Sequence, residues 1–99
     1  MSHEDQLDIR DLGRGAFELS FPYNLDFINF IKAKVPYRDR SYAEATHIWT
    51  IWGEHYIGHL EGVGLQKFSH VTRVFHRGTD LVVRNVRTGT ETVQKGLFA

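Results

Sequence analysis

The chain has 99 residues, 41% of them apolar, and seven Phe, four Tyr and two Trp give one small domain enough bulk for a core. Twelve basic and twelve acidic side chains cancel and there is no cysteine, which excludes a disulfide scaffold, a thiolate metal site and a cysteine nucleophile. The polar start Met1-Ser2-His3-Glu4-Asp5 lacks the chemistry of a signal or transit peptide. No apolar run approaches the ~20 residues that span a bilayer, so a soluble, cytoplasmic protein is expected. The charge balance hides an asymmetry. Residues 1–30 carry Arg10 and Arg14 against Glu4, Asp5, Asp8, Asp11, Glu18 and Asp26, whereas residues 70–99 carry Arg73, Arg77, Arg84, Arg87 and Lys95 against Asp80 and Glu91. Solvated faces of opposite sign that pair within the fold explain this as well as a phosphate-binding surface does.

Residues 7–10 alternate apolar and polar, residues 11–15 read as a glycine turn, and Phe17, Leu19 and Phe21 alternate again, so the chain opens with a β-hairpin. Pro22 ends its second strand. Asn24 can cap a helix that begins at Leu25, buries Phe27, Ile28, Ile31 and Val35, and stops before Pro36. Residues 38–42 form a short predicted strand, 43–46 a turn and 47–52 a β-branched and aromatic strand. A helix over 54–65 has Tyr56, Ile57, Leu60 and Val63 on its apolar side and is weakened by Gly58 and Gly62. Strands at 71–75, 81–86 and 91–93 follow, with turns at 77–80 and 87–90. The order β-β-α-β-β-α-β-β-β predicts an α+β fold, helices packed on a mostly antiparallel sheet. It is read as a single domain over 1–99 with a C-terminal β extension from about residue 70.

The stretch from Phe17 to Phe68 carries the most distinctive pattern. Phe17-Glu18-Leu19-Ser20-Phe21-Pro22-Tyr23 is followed by Phe27-Ile28 and Ile31-Lys32, then Val35-Pro36, then Arg40 and Tyr42, with Trp49 seven residues beyond the tyrosine. This resembles the HARP-type domain of annealing helicases and related phage and bacterial helicase-associated segments. In that pattern a strand ends in an aromatic, a helix ends in Lys, and an Arg-x-Tyr precedes a Trp on the next strand. Ala43 stands where the family usually has Asp, and Ala45-Thr46-His47 fill a turn that there usually carries Lys or Arg. The resemblance implies recognition of nucleic acid, especially single-strand/double-strand junctions, without ATP hydrolysis in this chain. It points to Lys32, Arg40, Tyr42 and Trp49.

Read from the residues, Lys32, Lys34, Arg38 and Arg40 form the densest basic cluster, interrupted by Asp39. They suit phosphate contact, although Lys32 and Lys34 also complement a helix C-terminus. Trp49 and Trp52 differ by three and so point to opposite faces of a strand. Trp49 and Tyr23 are expected in the core, and Trp52 or Tyr42 on the surface as a stacking ring. Arg73 and Arg77 share a face by parity, beside Arg84 and Arg87, and make a basic ribbon or an ordinary solvated sheet face. His55 and His59 are spaced to reach one metal ion, but HExxH is absent and no third ligand is placed, so no metal and no cofactor is expected. No nucleophile elbow, paired carboxylates or phosphate-cradling loop is present in the sequence, and catalysis is not expected.

The expected role is a non-catalytic nucleic-acid-binding module with forked or single-stranded DNA as partner. Its contacts would be Lys32, Lys34, Arg38, Arg40, Tyr42, Trp52, Arg73 and Arg77. The alternative is a small phage or mobile-element module that docks on a host protein. Association with a second copy is compatible with either.

Overall fold

The computed structural model describes residues 5–96; the acidic start at Met1–Glu4 lies outside them. Nine elements follow in chain order: β1 (Gln6–Gly13), β2 (Ala16–Ser20), α1 (Leu25–Lys34), β3 (Arg40–Ala43), β4 (Ile48–Trp52), α2 (Glu54–Lys67), β5 (His70–Arg77), β6 (Asp80–Asn85) and β7 (Glu91–Gln94). The α+β fold and the order of strands and helices are those the sequence predicts. The seven strands form one sheet in the order β3-β4-β2-β1-β5-β6-β7. Pairing is antiparallel except at the centre, where β1 and β5 run parallel, so the C-terminal strands continue the same sheet.

Strand alternation decides which face is covered. Leu7 and Ile9 on β1, Phe17 and Leu19 on β2, Trp49 and Ile51 on β4, and Val71 on β5 are buried together. They meet Phe27, Ile31 and Val35 of the α1 segment and Ile57, Leu60 and Phe68 of the α2 segment. Phe27 meets Phe21 and Phe68 edge-to-face, with centroids 4.9 and 5.3 Å apart, and Phe21 and Phe68 are tilted against each other at 5.7 Å. The opposite face presents Asp8, Arg10, Glu18, Thr50 and Trp52.

Helix ends follow local chemistry. The Asn24 side chain accepts the Phe27 N–H at 3.0 Å, as a cap should. Val35 leaves the helix with an extended backbone ahead of Pro36. The chain then makes a 3-10 turn at Tyr37–Asp39 before β3, so the strand expected from residue 38 starts at Arg40. The turn is closed by the Asp39 N–H donating to the Pro36 carbonyl at 2.9 Å. At the far end of α2, Arg87 donates to the carbonyl of Leu65, which the helix leaves open, and to those of Phe68 and Ser69 just beyond its last turn.

Gly53 and Gly64 are fixed by geometry. Gly53 has φ +133°, and a Cβ there would meet the Tyr56 ring at 2.7 Å. Gly64 is buried where α2 crosses β1, and its missing Cβ makes room for the fully buried Leu7. Gly58 and Gly62, by contrast, face open space. Gly64→Ala is therefore expected to lower stability by about 1–3 kcal/mol through overpacking. Gly58→Ala and Gly62→Ala should each raise it by about 0.5–1 kcal/mol through helix propensity. Urea denaturation of the three variants checks both signs.

Candidate nucleic-acid interface

The flank of α1 that is not in the core faces the sheet edge. Leu25, Ile28 and Lys32 lie along one side of the helix, spaced by three and four. Opposite them stand Tyr37 on the 3-10 turn and Arg40, Ser41 and Tyr42 on edge strand β3. Together with Tyr23 and a floor of Trp49 they line a groove of about 630 Å³. Tyr23 and Tyr37 are 79% and 83% exposed and Tyr42 is 44% exposed, while Trp49 is buried.

Arg40 and Tyr42 on β3 are each held in place by neighbouring groups. Arg40 donates from Nε to the Val35 carbonyl at 2.9 Å, at the negative end of α1, and its guanidinium lies 5.5 Å from the Tyr37 ring centre. The Tyr42 hydroxyl is 2.9 Å from His47 Nδ1, and its ring packs 4.8 Å from Trp49. His47 reaches this position from a hairpin turn with φ +58°, its N–H bonded to the Ala43 carbonyl at 2.7 Å. Among the described residues, Lys32, Lys34, Arg38 and Arg40 form no ion pair. Asp39, the carboxylate within this cluster, is turned to α2, where it accepts the Tyr56 hydroxyl at 2.6 Å. That bond holds the Tyr56 phenol above its ordinary pKa.

Of the residues that sequence singles out, the structure brings Lys32, Arg40 and Tyr42 into this groove, with Trp49 beneath. Lys34 sits on the other flank of α1, its Nζ 5.9 Å from the Phe30 ring. Arg38 is exposed on the 3-10 turn but does not line the groove. Trp52 is 45% exposed, as expected, but on the opposite face of the sheet, because β4 alternates and Trp49 faces the helices. Arg73 and Arg77 lie on β5, four strands from β3, or about 19 Å at the usual strand spacing.

Those arginines are also engaged. Arg73 pairs with Glu61 of α2 at 2.7 Å. Arg77 and Arg84 share Glu91 at 3.2 and 2.8 Å, with the Phe75 ring 5.7 and 5.1 Å from their guanidinium carbons. The C-terminal ribbon is thus a paired sheet face, and it does not join the 32–40 cluster. Sequence reasoning missed the exposure of Tyr23, which was expected in the core, and the place of Tyr37 in the groove lining. Each directly follows a proline that ends an element, Pro22 after β2 and Pro36 after α1, and a residue placed just past such a break leaves the layered core.

Two other features lie apart from this groove. A groove of about 700 Å³ between the end of β1 and the β5–β6 hairpin is lined by Arg10, Leu12, Val74, Phe75, His76 and Leu81 among others. Its cation, Arg10, already lies 4.0 Å from Glu18. His55 stacks 4.0 Å from the Tyr56 ring, and among the described residues no group of three or more His, Asp or Glu side chains converges on a point. No known protein family, curated protein or solved structure matches the chain.

Glu91 is held below the ordinary carboxylate range by hydrogen bonds from Arg84 and then Arg77. A depressed folded-state pKa contributes stability that is present above the unfolded value and lost as pH falls through the folded one. Asp80, bonded to the Gly96 N–H and Lys95, and Asp5, bonded to Ser69, act in the same direction. The melting temperature should therefore fall as the pH drops below about 4, and Glu91→Gln should melt lower at neutral pH with a shallower acid decline. Thermal scans between neutral and acid pH check this; an identical acid decline in wild type and variant would remove Glu91 from the explanation.

Proposed function

We propose that the protein is a non-catalytic nucleic-acid-binding module, and that the groove between α1 and β3 holds an unpaired strand, as at a single-strand/double-strand junction. One observation carries this reading. Two cations without carboxylate partners among the described residues, Lys32 and Arg40, share a groove with three exposed tyrosine rings. Cations neutralise phosphates, and ring faces stack on bases that have left a duplex, each stacked base contributing about 1–3 kcal/mol. The HARP-type resemblance supports the same residues, since it points to Lys32, Arg40 and Tyr42. Trp52, Arg73 and Arg77 stand outside this site and have no part in the proposal.

Fluorescence titrations with forked, single-stranded and blunt duplex oligonucleotides at two salt concentrations test it. Forked and single-stranded probes should bind at low salt and weaken as salt rises. The double variant Lys32→Ala with Arg40→Ala should lose about tenfold or more, in keeping with two charge-assisted contacts. Trp52→Ala should behave as wild type. Absence of binding at low salt, or a double variant that binds normally, rules the reading out. Retention of a host protein on the immobilised chain after nuclease treatment would favour the protein-docking alternative instead.

A further inference from the structure

We infer that the groove takes a short unpaired stretch of two to three nucleotides, stripped of its complementary strand, and that it is not a track along which a long strand lies. The inference rests on the nucleic-acid reading above and fixes the size of its ligand. Three features of the site lead to it.

The first is volume. At about 630 Å³ the groove falls within the ~300–1,000 Å³ of sites that enclose one compact ligand. It is also concave. Reading a duplex groove takes a protruding helix or ribbon ~12 Å or less across, and the floor here is Trp49, recessed behind Tyr42.

The second is the count of partners. Helical spacing puts Lys32 on the groove side of α1 and Lys34 on the far side beside Phe30. With Arg40 across the groove, two cations are available, and two phosphates join three nucleosides. The rings on offer, Tyr23, Tyr37 and Tyr42, match that number. Arg73, Arg77 and Arg84, the next strand cations along the same face of the sheet, are already paired to carboxylates, so nothing extends the path in that direction.

The third is preorganisation. Arg40 is anchored through Nε to Val35, which leaves its two terminal nitrogens for a phosphate, and Tyr42 is held by His47 and Trp49. Groups fixed before binding lose less freedom on binding, so a few contacts are enough to give measurable affinity.

Oligothymidylates from one to about ten nucleotides, titrated against the full chain by NMR over a salt series, provide the test, because single-strand binding changes with salt by about 0.7 per neutralised phosphate. Affinity should climb up to three nucleotides and then level off, apart from the statistical gain of more registers. The slope of log affinity against log salt should be about −1.4, that is, two phosphates. Lys32→Ala and Arg40→Ala should each flatten it by about 0.7, whereas Lys34→Ala and Arg38→Ala should leave it unchanged. Tyr37→Ala should weaken the trinucleotide about 5- to 150-fold. An affinity that keeps rising through ten nucleotides with a slope near −2.8, about four phosphates, would refute the short site yet leave nucleic-acid binding standing. Equal affinity for a blunt duplex would refute it too. No binding of any oligonucleotide would remove the inference together with the reading beneath it.

Discussion

Everything in the sheet hangs on β1. It is the strand where one antiparallel set, β3-β4-β2, meets another, β5-β6-β7, and it pairs antiparallel to β2 and parallel to β5. A parallel neighbour cannot be reached by a tight turn, so the chain must cross over a face of the sheet to get there. The crossing is made by α2, seated on Leu7 and Val71 at Gly64. Because side chains alternate with a period of two, a slip of one residue in β1 would turn Leu7 and Ile9 outward and take away the middle of the floor on which α2 sits. Once α2 occupies the centre, α1 is confined to the β2–β4 side. Its inner side, Phe27 and Ile31, is used up by the core, and the flank bearing Leu25, Ile28 and Lys32 is left to face the sheet edge. The candidate site is a consequence of that placement.

Arginine is used in two physically different ways in this molecule. Arg73, Arg77 and Arg84 meet carboxylates, which cancels their charge locally. Arg40 and Arg87 meet backbone carbonyls, which fixes the side chain and leaves the charge in place. Arg87 spends its donors on three carbonyls at the end of α2 and has become a cap. Arg40 spends one, on Val35, and remains both oriented and cationic. The balanced charge of the whole chain therefore says little about the potential at any one place. Cancellation is local in the C-terminal strands and incomplete around β3.

Much of this was legible because it depends on neighbours in sequence. Strand alternation, the Asn24 cap, the Pro36 stop and the opposite facing of Trp49 and Trp52 are all set within a few residues, and each stands as read. The short strand before β4 was misjudged at its start, since a 3-10 turn and a strand differ little over three polar and aromatic residues such as Tyr37-Arg38-Asp39. What sequence could not supply is long-range pairing. Nothing local marks Glu61 as the partner of Arg73, Glu91 as the shared partner of Arg77 and Arg84, or Gly64, among the three glycines of α2, as the one under Leu7. The same limit separates the residues of the site. Lys32 and Arg40 fall together because one helix end and one turn join them, whereas Arg73 and Arg77, also candidates by sequence, are set four strands away by the sheet order.

Exposed aromatic surface does not by itself choose a face for a nucleic-acid strand. Trp52 and Tyr42 are almost equally exposed and sit on neighbouring strands, one on each side of the sheet. The difference is electrostatic. Around Trp52 the uncovered face carries Glu18, with Asp8 further along; Arg10 already leans on Glu18, and the other cation nearby, Arg14, stands on the β1–β2 turn beyond the paired strands. A phosphate chain laid there would meet carboxylates. Around Tyr42 the cations are Lys32 and Arg40, and the nearby carboxylate of Asp39 is turned away by Tyr56. Stacking energy is nearly independent of the face, but phosphate charge is not. If the two rings compete for an unpaired base, the charges beside them decide in favour of Tyr42, and the bond from Tyr56 to Asp39 becomes part of what keeps that side receptive.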